Sequence, residues 1–185
     1  MNKLTDDIEQ IIITERQIEE RVKQLAKEIN NYYNGNPIIA VFVLKGSAFF
    51  ASDLIRWLNM HVVIEFMSVS SYGRDTVSSG KLTIKKDVDS EVKGKDILII
   101  EDIIDTGVTL SGLKEMFKQR GAGDIKVVTM LSKPSRRIVE FEADFTGFEV
   151  PDVFVVGYGL DYADKYRNLP YIASLKKHIY EQPNQ

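Results

Sequence analysis

The sequence predicts an α/β fold: an open, mainly parallel twisted sheet flanked by helices. Three observations lead there. Short apolar runs alternate along the chain with segments of helical spacing. Two runs, Ile38–Leu44 and residues 97–100, are apolar throughout, as strands buried on both faces are. Neither an internal repeat nor a low-complexity linker interrupts this order. Sheets of this kind bind ligands beyond the C-terminal ends of their strands.

Each element has its own signal. Thr14-Glu15-Arg16-Gln17 reads as a capping box, and Ile18, Val22, Leu25, Ala26, Ile29 and Tyr33 then recur at helical spacing. The first element is therefore an amphipathic helix, closed by Asn34-Gly35-Asn36-Pro37. Ile38–Leu44 follows as a central strand, and Lys45-Gly46 joins it to a helix that places Phe50, Leu54, Trp57 and Leu58 on one face. Residues 61–69 form another strand. Residues 70–80, SSYGRDTVSSG, are small or polar with no apolar periodicity, a composition that suits a lid or binding loop. Residues 81–88 precede the strand at Ile97, after which Leu110, Leu113, Met116 and Phe117 mark a helix ended by Gly121. Residues 124–131 add a strand, and residues 145–156 add late strand segments whose pairing Pro151 limits.

Composition sets the outer limits. With 185 residues, 44% apolar and 28% charged, the chain suits one domain, 1–185, with a single large core. The absence of cysteine excludes a thiol nucleophile, a disulfide framework and a zinc–cysteine site. The first residues lack the apolar core of a signal peptide, and no run approaches the ~20 apolar residues of a membrane span. A soluble, cytoplasmic protein without a membrane partner is expected. A net charge of −3 argues against a broad electrostatic footprint for nucleic acid.

The chemistry concentrates in Glu101-Asp102-Ile103-Ile104-Asp105-Thr106-Gly107-Val108-Thr109. Two adjacent acids end a buried strand. A third opens a loop of Thr, Gly and Thr before a helix N-terminus, where free amides and the dipole favour a phosphate. Carboxylates for a cation and sugar hydroxyls thus lie beside a phosphate cradle, which suggests a sugar-phosphate substrate handled with a divalent metal. Lys45-Gly46-Ser47 and Lys133-Pro134-Ser135-Arg136-Arg137 follow neighbouring strands and fall at the same edge. His61 and His178 have no nearby acid or serine motif and read as structural or solvated. The motifs GxxxxGK[ST] and GxGxxG are absent, which counts against a P-loop kinase or a Rossmann dehydrogenase.

The segment ILIIEDIIDTGVTLSG resembles the phosphoribosyl-pyrophosphate signature of type I phosphoribosyltransferases. The companion segments VLKGS, SSYG, LSKPSRR and PDVFVVGYGLDYADKYRNLP resemble its hypoxanthine-guanine branch, and the likeness covers nearly the whole chain in order. It implies the type I phosphoribosyltransferase fold with a small hood formed by N- and C-terminal segments. It also implies transfer of the 5-phosphoribosyl group from phosphoribosyl pyrophosphate to N9 of hypoxanthine or guanine, giving IMP or GMP and pyrophosphate. Mg2+ is the implied cofactor, and a homodimer or homotetramer the implied assembly.

The same resemblance distributes roles. Glu101 and Asp102 hold the ribose hydroxyls and the metal around them, and Asp161 matches a second magnesium site. Asp105, Thr106, Gly107, Val108 and Thr109 bind the 5′-phosphate; Val108 can offer only its backbone. Asp105 matches the general base toward the purine's N7 proton, and because an ordinary carboxylate is a weak base its share is positioning plus modest proton transfer. Phe154 stacks on the purine, Val155 offers its backbone to the ring edge, and Lys133 donates to the 6-oxo oxygen. Asp161 is also a candidate acceptor for guanine's amino group. Lys45, Gly46 and Arg167 match pyrophosphate positions, the Leu44–Lys45 peptide is commonly cis, and Ser71 and Tyr72 match the closing loop. The competing reading on this fold is a regulator that binds RNA or DNA. It could dispense with Lys133, Phe154 and Asp161 and would need a basic face.

Overall fold

The structure, a computed structural model, describes residues 4–71 and 82–180. A strand β1 (Ile8–Ile13) precedes helix α1 (Glu15–Tyr33), so the helix expected to come first is the second regular element. The capping box is formed as read: the Thr14 hydroxyl accepts from the Gln17 amide while the Gln17 side chain accepts from the Thr14 amide at 2.9 Å. Asn34, at φ 49°, ends the helix in the left-handed region. There follow β2 (Ile38–Leu44), α2 (Ala48–Ile55), β3 (Val62–Ser71), β4 (Leu82–Lys86), β5 (Asp96–Ile104), α3 (Val108–Gln119), β6 (Ile125–Ser132), β7 (Phe145–Glu149), β8 (Val155–Val156), β9 (Ile172–Leu175) and α4 (Lys177–Tyr180).

Among the described residues, six strands form one sheet in the order β4-β3-β2-β5-β6-β7. All neighbours are parallel except β3 and β4, which gives the open, mainly parallel sheet the sequence predicts. Its apolar strands divide their side chains by the two-residue period of a pleat. Ala40, Phe42, Leu98 and Ile100 pack with Val22, Leu25, Phe50 and Leu54 of α1 and α2. Ile39, Val41, Ile97 and Ile99 pack on the opposite face with Leu110, Leu113 and Phe117 of α3. A continuous apolar run is thus what a strand between two helical layers requires.

Trp57 departs from the expected pattern. Helix α2 ends at Ile55, and Trp57 lies beyond it, 51% exposed, with the Lys23 ammonium 5.1 Å from its ring centre. His61 and His178 are both exposed, in keeping with solvated roles. Tyr72, assigned to a closing loop, lies outside the described residues; of Ser71 only the backbone is described, at the end of β3 opposite Leu82. No helix of the described residues is long and apolar enough to cross a membrane.

The remaining strands form a second, antiparallel sheet in the order β1-β9-β8, made of the N- and C-terminal segments expected for the hood. Side chains tie it down. The Tyr158 hydroxyl donates to Asp53 of α2 at 2.7 Å, and the Tyr166 hydroxyl donates to Asp7 at 2.7 Å.

One buried acid has a structural task. Glu65 of β3 accepts from the Asp89 and Ser90 amides at 3.0 and 2.9 Å and from the Ser90 hydroxyl, holding the segment that leads into β5. Burial alone raises its pKa, but the Ser90 hydroxyl, the two amides and nearby Lys86 together hold it below the usual value. A carboxyl depressed on folding contributes stability above its unfolded pKa, and that contribution is lost as pH falls through the folded pKa. Glu65→Gln is expected to cost about 1–3 kcal/mol at neutral pH. Denaturant titrations should show the deficit shrinking in strong acid; a deficit independent of pH would contradict this role.

Candidate active site

Parallel pairing brings the C-terminal ends of β2, β5 and β6 to one edge. Pairing of β5 with β2 stops at Phe42–Ile100, whereas pairing with β6 continues to Ile104–Ser132. Glu101 and Asp102 therefore sit where β5 has passed the end of its pairing with β2, and they line a cleft of about 220 Å³ with Asp105, Thr106, Gly107 and Thr109. Six of the predicted residues are together there. Val108 opens α3, and its amide lies 3.4 Å from the Thr106 hydroxyl.

The acidic pair is costly as it stands. Asp102 Oδ1 accepts from the Ile103 amide at 2.7 Å, whereas buried Glu101 Oε2 has no hydrogen-bond donor among the described residues. Burial, then the neighbouring Asp102 charge, pushes the Glu101 carboxyl well above its usual range. Burial also raises Asp102, against the opposing hydrogen bonds and the more distant Arg167. A hard cation or sugar hydroxyls at this pair would relieve both the repulsion and the vacant acceptor. Magnesium needs few protein carboxylates, taking its other oxygens from water and phosphates, so the donor set fits it.

Residues 105–109, the candidate phosphate loop, lead from β5 into the N-terminus of α3. Gly107 takes φ 82°, a conformation that favours glycine, and turns the chain into α3, whose first-turn amides have no intrahelical acceptor. Arg137 fastens this loop, a role that sequence reasoning missed. It donates to the carbonyls of Ile104, Asp105 and Lys133 at 2.9, 2.6 and 3.2 Å, and to the Ser132 hydroxyl at 2.7 Å. Arg136 was missed as well. Its Nε lies 2.6 Å from Asp105 Oδ1, close but not aligned as a hydrogen bond, and its Nη1 donates to Asp152 at 3.2 Å.

Just past β2, Gly46 meets Asp102 of the acidic pair. The Leu44–Lys45 peptide is cis, as the resemblance implied. A Cβ on Gly46 would lie 1.5 Å from Asp102 Oδ2, and one on Gly159 would lie 1.9 Å from the Gly46 carbonyl oxygen. The two backbones and the carboxylate are packed too closely for any side chain at these glycines. Arg167 donates to the Gly159 carbonyl at 2.7 Å and pairs with Asp161 at 2.7 Å. Asp164, unmarked in the sequence reading, pairs with Lys45 at 2.9 Å and with Arg167 at 3.2 Å. Lys45, Gly46, Asp161 and Arg167 thus form one cluster around the Gly159 turn.

The purine candidates form a third group. The buried Lys133 ammonium donates to the Val153 carbonyl at 2.7 Å. Burial lowers its pKa, partly offset by Asp105 and Asp152. Phe154 is 39% exposed beside it, and Val155 is buried in β8 opposite Ser174.

Known proteins match this arrangement over most of its length. The phosphoribosyl transferase domain family matches residues 10–163. The chain is 55% identical over 175 residues to the hypoxanthine-guanine phosphoribosyltransferase of Bacillus subtilis, covering 95% of this chain and 97% of that one. It is 47% identical to the protein of the same name from Streptococcus pneumoniae, covering 96% of this chain and 98% of that one. Among solved structures, a hypoxanthine phosphoribosyltransferase from Staphylococcus aureus superposes with a TM-score of 0.93 at 45% identity, covering 98% of this chain and 100% of that one. With the mainly parallel sheet in place and matches that span most of its length, the chain belongs to the phosphoribosyl transferase family.

Proposed function

We propose that the protein transfers the 5-phosphoribosyl group from phosphoribosyl pyrophosphate to N9 of hypoxanthine or guanine, releasing pyrophosphate. One observation carries this reading: an adjacent carboxylate pair, in which the buried Glu101 Oε2 has no hydrogen-bond donor among the described residues, opens into the same cleft as the loop that leads into α3. The similarity to relatives named for that activity supports it.

The work divides among the three groups. The amides of residues 106–109 and the Thr106 and Thr109 hydroxyls hold the 5′-phosphate. Glu101 and Asp102 hold the ribose hydroxyls and, with Asp161, are the groups that would hold magnesium. When bound, the metal neutralises charge developing on the pyrophosphate leaving group. Lys45, the Gly46 backbone and Arg167 receive that pyrophosphate. Asp105 faces the purine N7 proton across the bond being made, Phe154 stacks on the base, and the Val155 backbone meets its edge.

Lys133 selects the base. Its ammonium donates to a 6-oxo oxygen, and a 6-amino group in the same place would leave donors facing one another in a buried pocket. The protein, incubated with phosphoribosyl pyrophosphate, magnesium and each of hypoxanthine, guanine, xanthine and adenine, is expected to form nucleotide from hypoxanthine or guanine and to reject adenine. No product with any 6-oxopurine would overturn the reading. In the same assay Lys133→Ala should narrow the hypoxanthine-to-adenine preference by about 100-fold or more. Unchanged selectivity would remove Lys133 from this role.

A further inference from the structure

The face of Phe154 is not left to the purine alone. Tyr180, in the short C-terminal helix α4, stacks on its ring with centroids 5.3 Å apart and planes at 22°, while Tyr162 meets it edge-on at 5.5 Å and 89°. These are the offset-stacked and T-shaped arrangements that aromatic quadrupoles favour. With both neighbours in place Phe154 as a residue is still 39% exposed, so they do not enclose it.

Tyr180 is itself anchored. Ile179, Tyr180 and Tyr162 pack against the hood cluster of Val156, Tyr166, Leu169 and Leu175. Lys176, just before α4, donates its amide to the Asp7 carbonyl at 3.0 Å and its ammonium to the Asp6 carbonyl at 2.7 Å. The C-terminal segment is thereby tied to the N-terminal one at the point where it reaches Phe154.

We propose that Tyr180 is a purine-positioning residue whose ring backs Phe154, so that base, Phe154 and Tyr180 form a three-ring stack when the purine binds. The proposal rests on the reading of Phe154 as the purine's stacking partner. A platform packed by two neighbouring rings gives up little ring freedom when the base arrives, and pre-organisation of this kind appears as affinity. The side chain acts through Phe154, so its loss should show in purine binding rather than in the bond-making step.

Initial rates of Tyr180→Ala, Tyr180→Leu and Tyr180→Phe, with hypoxanthine and phosphoribosyl pyrophosphate varied in turn, test this, and Phe154→Ala serves as the reference. Tyr180→Ala should raise the KM for hypoxanthine about threefold to tenfold, the scale of one aromatic pair. Its kcat and its KM for phosphoribosyl pyrophosphate should stay near those of the parent. Tyr180→Phe should restore the parent value, and Tyr180→Leu, which keeps apolar packing without the ring, should fall between. A hypoxanthine KM that is unchanged or lower in Tyr180→Ala, while Phe154→Ala raises it, overturns the backing role alone; a lower value would mean that the tyrosine competes for the purine's place. An unchanged KM in Phe154→Ala overturns the purine placement, and the proposal with it. A parallel rise in both KM values for Tyr180→Ala, with a lower melting temperature, would reduce Tyr180 to a structural residue.

Discussion

Gly46→Ala is expected to lower kcat/KM for phosphoribosyl pyrophosphate by about 100-fold or more, the cost of displacing a catalytic group by roughly an ångström. The added Cβ would lie 1.5 Å from Asp102 Oδ2 and 2.4 Å from its Cγ, so something must move. Neither neighbour yields easily. Asp102 is held by the Ile103 amide at 2.7 Å, and the Gly46 carbonyl is already covered by Gly159, whose own Cβ would lie 1.9 Å from it. The substitution therefore moves either the carboxylate proposed to hold ribose and metal or the backbone proposed to hold pyrophosphate. The affected groups lie at the mouth of the sheet, away from the two cores that pack its faces, so the fold should survive. Steady-state kinetics with a parallel thermal melt check this. Near-parent kcat/KM would show that neither group is as critically placed as the packing indicates.

Asp105→Asn should lower kcat by about 100-fold to 1,000-fold, within the range ascribed to one positioned acid–base group. The KM for phosphoribosyl pyrophosphate should change only a few-fold. The reason lies in which parts of the residue do which work. The loop is held through its backbone, with Arg137 donating to the Asp105 carbonyl at 2.6 Å, so an isosteric amide leaves the phosphate cradle standing. What is lost is the carboxylate, whose Oδ1 has, among the described residues, a close but unaligned contact with Arg136 and no hydrogen bond. A fall in kcat with little change in KM is the signature of an interaction made in the transition state. A large rise in KM with kcat intact would instead make Asp105 a phosphate-loop residue without a proton-transfer role.

How legible these features were depends on the range of the interactions that create them. The capping box, the apolar strands of the main sheet and the glycine at φ 82° are local, and each was readable from a few neighbouring residues. β1 and β9 were not. β1 buries little of its length and β9 is only four residues long, and both gain strand structure by pairing Ile8–Ile13 with Ile172–Leu175, across most of the chain. Trp57 fits the periodicity of α2, but the helix stops two residues earlier, which apolar spacing does not reveal. In the site, the acids and the phosphate loop stood out because their neighbours in sequence are their neighbours in space. Arg136, Arg137 and Asp164 act through partners brought to them by folding, on Asp105, the loop carbonyls, Lys45 and Arg167. The need for glycine at 46 is of the same kind, since Asp102 is 56 positions away in sequence and in contact in space.

The central claim is a divided site, with residues 101–109 holding the phosphoribosyl group and Lys133, Phe154 and Val155 holding the base. A crystal structure with magnesium, a non-reactive phosphoribosyl pyrophosphate analogue and hypoxanthine or guanine tests it most directly. The account predicts the 5′-phosphate on the amides of residues 106–109, the ribose hydroxyls at Glu101 and Asp102, and the base flat on Phe154 with its 6-oxo oxygen at the Lys133 ammonium. A 5′-phosphate bound away from that loop, or a base bound away from Phe154, would contradict it.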